Sequence, residues 1–105
     1  PRRSRLGASP TGSSGNTITS LHYTGTDSLS AGLMAYEATG AAGVLFQNNE
    51  VFDTDDAVIL ASNSTNITVE DNNLHDNVKG IRIESSATGN SISNNLLFAI
   101  IKIIL

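Results

Sequence analysis

The sequence predicts an all-β solenoid, in which short parallel strands wind into about three to four stacked coils. The first observation behind this fold class is a repeat, since residues 44–65 recur as residues 67–88 at a shift of 23. The second is that apolar and polar residues alternate in short bursts inside each copy, which is the period of a β-strand. A unit of this size cannot bury its apolar side alone, so successive units must stack and cover one another.

The composition limits the class of protein. The 105 residues make one domain at most. A formal net charge of −4 argues against a general nucleic-acid binder. The absence of cysteine excludes a disulfide scaffold, a thiolate metal site and a cysteine nucleophile.

Residues 1–15 are assigned to a basic, Gly/Ser-rich N-terminal arm, and residues 16–105 to the solenoid domain with its apolar C-terminal coil. Arg2, Arg3 and Arg5 are three of the six basic residues of the chain, and the other three are set against ten acidic residues. The arm does not continue into the apolar stretch that a secretion signal needs.

The first copy of the repeat is irregular and covers residues 16–43. In it, residues 15–18 echo residues 89–92, and residues 32–35 echo residues 80–83. These matches predict that a coil precedes the regular copies.

The regular copies align their apolar positions. The aligned pairs are Phe46 with Val69, Val51 with Leu74, Val58 with Ile81, and Leu60 with Ile83. A third copy continues with Ile92, Asn95 and Leu97 in register and then, after the loss of one residue, with Ile103 and Leu105.

Asparagine also recurs at the repeat distance. Asn49, Asn72 and Asn95 are predicted to lie one above another at a turn. Side-chain amides in such a ladder hydrogen-bond along the stack, and asparagine tolerates left-handed backbone angles.

The segment Asn66–Ser86, NITVEDNNLHDNVKGIRIESS, and its copies resemble the right-handed parallel β-helix family, which includes pectate-lyase-like enzymes, alginate epimerases and many surface proteins. The resemblance covers residues 44–105 well and 16–43 weakly. It implies a short right-handed parallel β-helix and says little about function, because the motif encodes turns and core. Leucine-rich repeats would need more leucine, and a β-sandwich, the second choice, is disfavoured by the repeat.

An acidic cluster has two interpretations. It consists of Asp53, Asp55, Asp56 and, one coil later, Asp76. Aspartate favours turns, which makes a solvated turn the simpler interpretation. Several carboxylates around one turn could instead hold Ca²⁺, and the family resemblance supports that alternative; no other cofactor is predicted.

His75 is the candidate catalytic base, with Asp76, Lys79 and Arg82 nearby, for lysis or epimerisation of an acidic polysaccharide. Strand alternation points Leu74 inward and His75 outward, which favours an ordinary solvent-facing histidine. Four coils also rise only about 19 Å, too little for the wall of a sugar-binding cleft. Since no nucleophile or phosphate-binding motif occurs either, we expect a protein that is not an enzyme.

Two adjacent sequons begin at Asn63 and Asn66, at the predicted turn between coils. They are candidate glycosylation sites if the protein is exported.

The last coil is the most apolar part of the chain and is predicted to be uncapped. Its assembly candidates are Leu97, Phe98, Ile100, Ile101, Ile103, Ile104 and Leu105. The segment is too short to span a bilayer as a helix. Two outward columns, Phe52/His75/Phe98 and Met34/Ile59/Arg82/Ile104, hold large apolar residues and suggest contacts beyond the subunit.

The leading functional hypothesis is a structural subunit that polymerises head-to-tail into an extracellular or cell-surface filament, with other copies of itself as partners. The apolar end and the N-terminal arm would make the contacts, with Arg2, Arg3 and Arg5 meeting the acidic body of the next subunit. The alternative is a fragment of a larger β-helix carbohydrate-active enzyme or a polysaccharide-binding module. Neither hypothesis includes nucleic acid or a membrane span.

Overall fold

The computed structural model describes residues 11–22, 30–84 and 86–104, and in these ranges all the regular structure is strand. The ten strands are β1 (Thr11–Ser14), β2 (Thr17–Leu21), β3 (Ala31–Tyr36), β4 (Val44–Gln47), β5 (Glu50–Thr54), β6 (Asp56–Ala61), β7 (Ile67–Glu70), β8 (Asn73–Ile83), β9 (Ser91–Ser93) and β10 (Leu96–Ile104). The all-β prediction is confirmed.

Every strand pairing among the described residues is parallel, and the strands form two sheets. One sheet has the order β1-β4-β7-β9. In the other, β8 pairs with β5 through its first half and with β6 through its second half; β2 and β3 lie beyond these, and β10 lies on the opposite side of β8. The described strands therefore wind through four coils: the first coil is β1–β3, the second β4–β6, the third β7 and β8, and the fourth β9 and β10.

The spacing between coils follows the predicted repeat from the second coil onward. Val44 pairs with Ile67, and Leu74 pairs with Leu97, both at the repeat distance of 23 residues. The four aligned apolar pairs that the sequence predicted lie opposite each other in the sheets. The solenoid and its repeat are confirmed.

The fourth coil corrects one sequence alignment. No residue is lost in it, because Ile104, rather than Ile103, pairs with Ile81. Ile104 therefore continues the column of Ile81 and does not join the outward column of Ile59 and Arg82, as the sequence alignment had placed it. Consecutive residues of this strand are apolar, so the sequence shows no alternation from which the register of the strand could be predicted.

The first coil corrects a second alignment. Residues 15–18 do not match residues 89–92; instead Ile18 pairs with Val51, so Asn16 precedes β2 as Asn49 precedes β5. The spacing from the first to the second coil is 33 residues at the Thr17↔Glu50 pair and 25 at the Ala31↔Asp56 pair, so the first coil has additional residues between β2 and β3. The predicted match of residues 32–35 is confirmed by the pairing of Leu33 with Val58.

The core lies between the sheets, where alternate strand residues point inward. Val51, Val58, Leu60, Val69 and Leu74 are each 0% exposed. Burying a side chain of this kind stabilises the fold by roughly 1.5–3 kcal/mol. The stacking of coils supplies this burial, because no single coil encloses a core.

The corners of the solenoid repeat a left-handed backbone angle. Gly15, Asn48, Asp71 and Asn94 follow one another along the stack with φ of 69°, 58°, 58° and 54°. Glycine, asparagine and aspartate are the residues that adopt this angle most readily. The left-handed residue is thus the one before each ladder asparagine, whereas the sequence analysis had assigned that angle to the ladder residues themselves.

Candidate functional site

The asparagine ladder runs through all four coils. The Asn49 backbone N–H donates to Oδ1 of Asn72 over 2.9 Å, and the Asn72 N–H donates to Oδ1 of Asn95 over 2.9 Å. Asn16 extends the ladder, since its N–H donates to Oδ1 of Asn49 over 3.1 Å. The predicted ladder of Asn49, Asn72 and Asn95 is present, with a fourth member that the misaligned first coil had concealed.

Each ladder amide also donates back to the preceding coil. Nδ2 of Asn49 donates to the Ser13 carbonyl, and Nδ2 of Asn72 to the Phe46 carbonyl. Asn49 and Asn72 are each 2% exposed. Buried backbone groups at the turns are thereby satisfied, which avoids the cost of leaving them unpaired.

A second internal pair was missed by the sequence analysis. Oδ1 of Asn77 accepts from both the backbone N–H and the hydroxyl of Thr54, at 3.0 and 2.7 Å, and its Nδ2 donates to the Val51 carbonyl. Thr54 and Asn77 are separated by one repeat, and two polar residues at that spacing were the sequence signal that could have identified the pair.

The outward column Phe52/His75/Phe98 forms a continuous ring stack. The His75 imidazole lies 4.9 Å from the centroid of Phe52 on one side and 4.9 Å from that of Phe98 on the other, with interplanar angles of 9° and 5°. These three rings come from β5, β8 and β10 and tie three successive coils together.

Both ring nitrogens of His75 contact carboxylates. Nε2 lies 2.7 Å from Oε2 of Glu50, and Nδ1 lies 2.6 Å from Oδ2 of Asp76. A neutral imidazole carries one N–H and can donate to one carboxylate, so both hydrogen bonds form together only in the protonated ring. The hydrogen bonds from Asp76 and Glu50 raise the pKa of His75.

His75 points outward as predicted, but it is not solvent-facing. Its side chain is 15% exposed, because Phe52 and Phe98 cover the two faces of the ring. When the imidazole is protonated, its charge lies between two aromatic faces, a favourable environment for positive charge. In this arrangement neither nitrogen is free to accept a proton from a substrate.

The four predicted calcium ligands lie in different surroundings. Asp53 and Asp55 contact the two ring nitrogens of His22 at 2.7 and 3.0 Å, and Asp55 also accepts from the Ser30 hydroxyl. The Asp53 and Asp55 hydrogen bonds raise the pKa of His22, and the bond from His22 lowers the pKa of Asp53. Asp53 and Asp55 thus link the second coil to the residue after β2.

The other two predicted calcium ligands, Asp56 and Asp76, do not contact His22. Asp56 is fully buried, and neither of its carboxylate oxygens has a hydrogen-bond donor among the described residues. Nη1 of Arg82 lies 3.9 Å from its Oδ2. Burial raises the pKa of Asp56, and the charges of Lys79 and Arg82 oppose that shift. Asp76 binds His75. Across the described ranges, no group of three or more histidine and acidic residues is arranged to hold a metal ion.

The two sequon asparagines are exposed at the turn between β6 and β7. Nδ2 of Asn66 donates to the Ala41 carbonyl over 2.8 Å. The backbone N–H of Asn63 donates to the Ser86 hydroxyl over 3.1 Å. Glycosylation at either position stays a prediction.

The outer coils expose apolar side chains at both ends of the stack. In the fourth coil Leu96 is 58% and Phe98 47% exposed, while Leu97 and Ile100 are half-buried. In the first coil Leu21, Met34 and Tyr36 are exposed. Ile59, predicted to make contacts beyond the subunit, is instead buried within the chain, at 4% exposure.

The remaining assembly candidates are placed only in part. Ile101, Ile103 and Ile104 lie on β10, which pairs with β8. The other candidates, Arg2, Arg3, Arg5 and Leu105, lie outside the described residues. β1 lies inside the segment that the sequence analysis assigned to the arm, and it pairs with β4.

No pocket is present within the described part of the chain. Residues 11–22, 30–84 and 86–104 also contain no helix with the length and apolar character needed to cross a bilayer. The candidate functional features are therefore the hydrogen-bonded ladder, the ring stack and the exposed apolar side chains of the first and fourth coils.

Fold and ladder together define a parallel β-solenoid. Comparison with protein families agrees, because the model described as right handed beta helix region matches residues 3–102. The chain belongs to the right-handed β-helix family. Comparisons with curated proteins and with solved structures gave no significant match.

Proposed function

We propose that the chain is a structural subunit that polymerises head-to-tail into an extracellular β-helical filament. The observation that carries the proposal is that the first and the fourth coil each have a strand edge with no partner among the described strands. β1, β2 and β3 pair on one side only, with β4, β5 and β6; β9 and β10 likewise pair on one side only, with β7 and β8, among the described strands.

Parallel strands make these two edges complementary. The fourth coil pairs in parallel with one edge of the third coil, and its own outer edge runs in the same strand direction. The first coil of a second copy therefore fits on that outer edge as a fifth coil. The contact joins different surfaces of the two copies. A contact of this kind produces a filament when its rotation does not close into a ring.

The core is also less covered in the two outer coils, as far as the described residues show. In one inward column Val51 and Leu74 are 0% exposed, whereas the terminal members Ile18 and Leu97 are only half-buried. Stacking a second copy would place Ile18 over Leu97 and bury both. The apolar area removed from water favours this association, at about 25 cal/mol per Å² before the entropic cost of assembly.

The proposed role is non-catalytic, and the closed environment of His75 supports it, since Glu50 and Asp76 occupy both ring nitrogens. The exposed sequon positions Asn63 and Asn66 suit a protein outside the cell. In the assembled filament, Arg2, Arg3 and Arg5 would meet the acidic body of the neighbouring copy and help fix the register.

Electron microscopy and light scattering of the purified chain test the proposal. We expect filaments whose length grows with protein concentration and whose axial repeat is about 19 Å, which is four coils at about 4.8 Å each. Leu96→Lys, which adds a charge at the open end, should lower the filament mass at least severalfold. Thr68→Lys is the matched control, because it adds the same charge to an outward position of the third coil.

Uniform monomers at all concentrations would reject the polymer. If such monomers bound or cleaved a polysaccharide, the alternative would be favoured: a fragment of a larger β-helix carbohydrate-active enzyme or a polysaccharide-binding module. Circular dichroism of both lysine variants is needed to show that the solenoid itself remains folded.

A further inference from the structure

The hydrogen-bonding groups at the two ends of the ladder are complementary. At each step inside the chain, the N–H of one ladder asparagine donates to Oδ1 of the next, as from Asn72 to Asn95. Among the described residues, the Asn95 N–H has no acceptor and Oδ1 of Asn16 has no donor. One end of the molecule thus offers the donor and the other end the acceptor of the same bond.

The ladder has a second hydrogen bond at each step, and its donor and acceptor at the two ends of the molecule are also complementary. Nδ2 of a ladder asparagine donates to the carbonyl three residues before the ladder asparagine of the preceding coil, as from Asn95 to Val69. In the fourth coil the corresponding carbonyl belongs to Ile92. Among the described residues, Nδ2 of Asn16 has no carbonyl of a preceding coil to donate to, and it donates instead to the Ser13 hydroxyl, the Ser14 carbonyl and Oδ1 of Asn49.

From this complementarity we infer that copies join in one register, with the ladder continuing across the junction. The Asn95 N–H donates to Oδ1 of Asn16 in the following copy, and Nδ2 of that Asn16 donates to the Ile92 carbonyl. The inference rests on the proposed head-to-tail polymer and specifies its interface.

The strand positions agree with this register. It places Leu96 opposite Thr17 of the next copy, continuing the column that Glu50 and Asn73 form inside the chain. It also places the half-buried Leu97 opposite Ile18. A slip of one residue would turn inward side chains outward, and a slip of two would separate Asn95 from Asn16.

Cysteine crosslinking tests the register directly, because the chain contains no cysteine. Neighbouring in-register Cα atoms lie about 5 Å apart, within the range that a disulfide bridges. Within one chain, Thr17 and Leu96 are three coil steps apart, about 14 Å, which is beyond that range. A disulfide in Thr17→Cys/Leu96→Cys can therefore form only between copies.

The matched control is Thr19→Cys/Leu96→Cys, which shifts one partner by two residues along the same face and puts the Cα atoms about 8 Å apart. Filaments are assembled under reducing conditions, oxidised and separated on a non-reducing gel. We expect a ladder of dimers, trimers and higher species from the first variant, with roughly tenfold less crosslink from the control.

A second in-register pair, Ser14→Cys/Ser93→Cys, tests the other sheet and serves if the first variant does not fold. Crosslinking of the shifted pair in place of the in-register pairs would overturn the register while leaving the polymer intact. If the unsubstituted chain forms no polymer by light scattering, the proposed function fails and the register fails with it.

Discussion

The two inner coils and the two outer coils follow the same register but bury equivalent side chains to different extents. Leu74 in the third coil is fully buried, whereas Leu97, its partner in the fourth coil, is half-buried. Phe52 and Phe98 likewise stack on opposite faces of one imidazole, yet Phe98 is 47% exposed. Burial in this molecule depends on the neighbouring coil more than on the residue type, so side chains of the outer coils are less covered than their inner counterparts.

The largest expected effect on the free energy of unfolding comes from truncating equivalent leucines in an inner and an outer coil. Leu74→Ala should lower the free energy of unfolding by about 2–5 kcal/mol, because it leaves a cavity in a covered core. Leu97→Ala should cost roughly half as much in the monomer, since part of that side chain is already in water. Urea unfolding at low protein concentration, where no polymer forms, measures both.

Assembly should then remove the difference. In filaments the cost of Leu97→Ala should approach that of Leu74→Ala, measured as the urea concentration at which the filaments dissociate and unfold. Equal costs already in the monomer would mean that the fourth coil is covered by its own chain, which would contradict the contrast between inner and outer coils.

A smaller effect is expected from pH, through the histidine that joins the inner coils to the fourth. The folded-state pKa of His75 is raised above its ordinary 6.5, so the protonated ring binds Glu50 and Asp76 more strongly in the folded chain. Its contribution to stability is complete below about pH 6.5 and is lost as pH rises through the folded-state pKa. The urea midpoint should therefore fall between pH 6 and pH 9.

His75→Phe should remove this part of the pH dependence, because it keeps a stacked ring without a titrating group. His22→Gln is the control: it removes the other histidine with a raised pKa and leaves the His75 contribution in place. A pH dependence unaltered in His75→Phe would show that the ring stack does not couple the coils through its charge.

The smallest effect concerns one backbone position in the fourth coil. Ala99 has φ of 53°, in the column where Asp53 and Asp76 have φ of 58° and 57°. Alanine is less suited to this angle than aspartate, asparagine or glycine. Ala99→Gly and Ala99→Asn should each stabilise the chain by up to about 1 kcal/mol in urea unfolding, and a loss of stability in both would show that Ala99 is not strained.

The two alignment errors of the sequence analysis fall in the outer coils. Asn16 was assigned to the wrong column because the first coil has extra residues, and a fixed repeat distance does not find it. Ile103 and Ile104 were exchanged because consecutive apolar residues carry no alternation. In the inner coils, where polar and apolar residues alternate, the register predicted from the sequence is the observed one.

The sequence by itself determined the fold class, the repeat and the inner core columns, because the alternation of apolar and polar residues and the repeat distance are visible in the order of residues alone. It also marked the ladder asparagines Asn49, Asn72 and Asn95. Only the tertiary structure decided that His75 is enclosed, that Asp56 is buried apart from the other carboxylates, and that Asn16 completes the ladder. Each of these depends on which side chains of one coil lie over those of the next, and that contact is fixed by three-dimensional stacking rather than by any one segment.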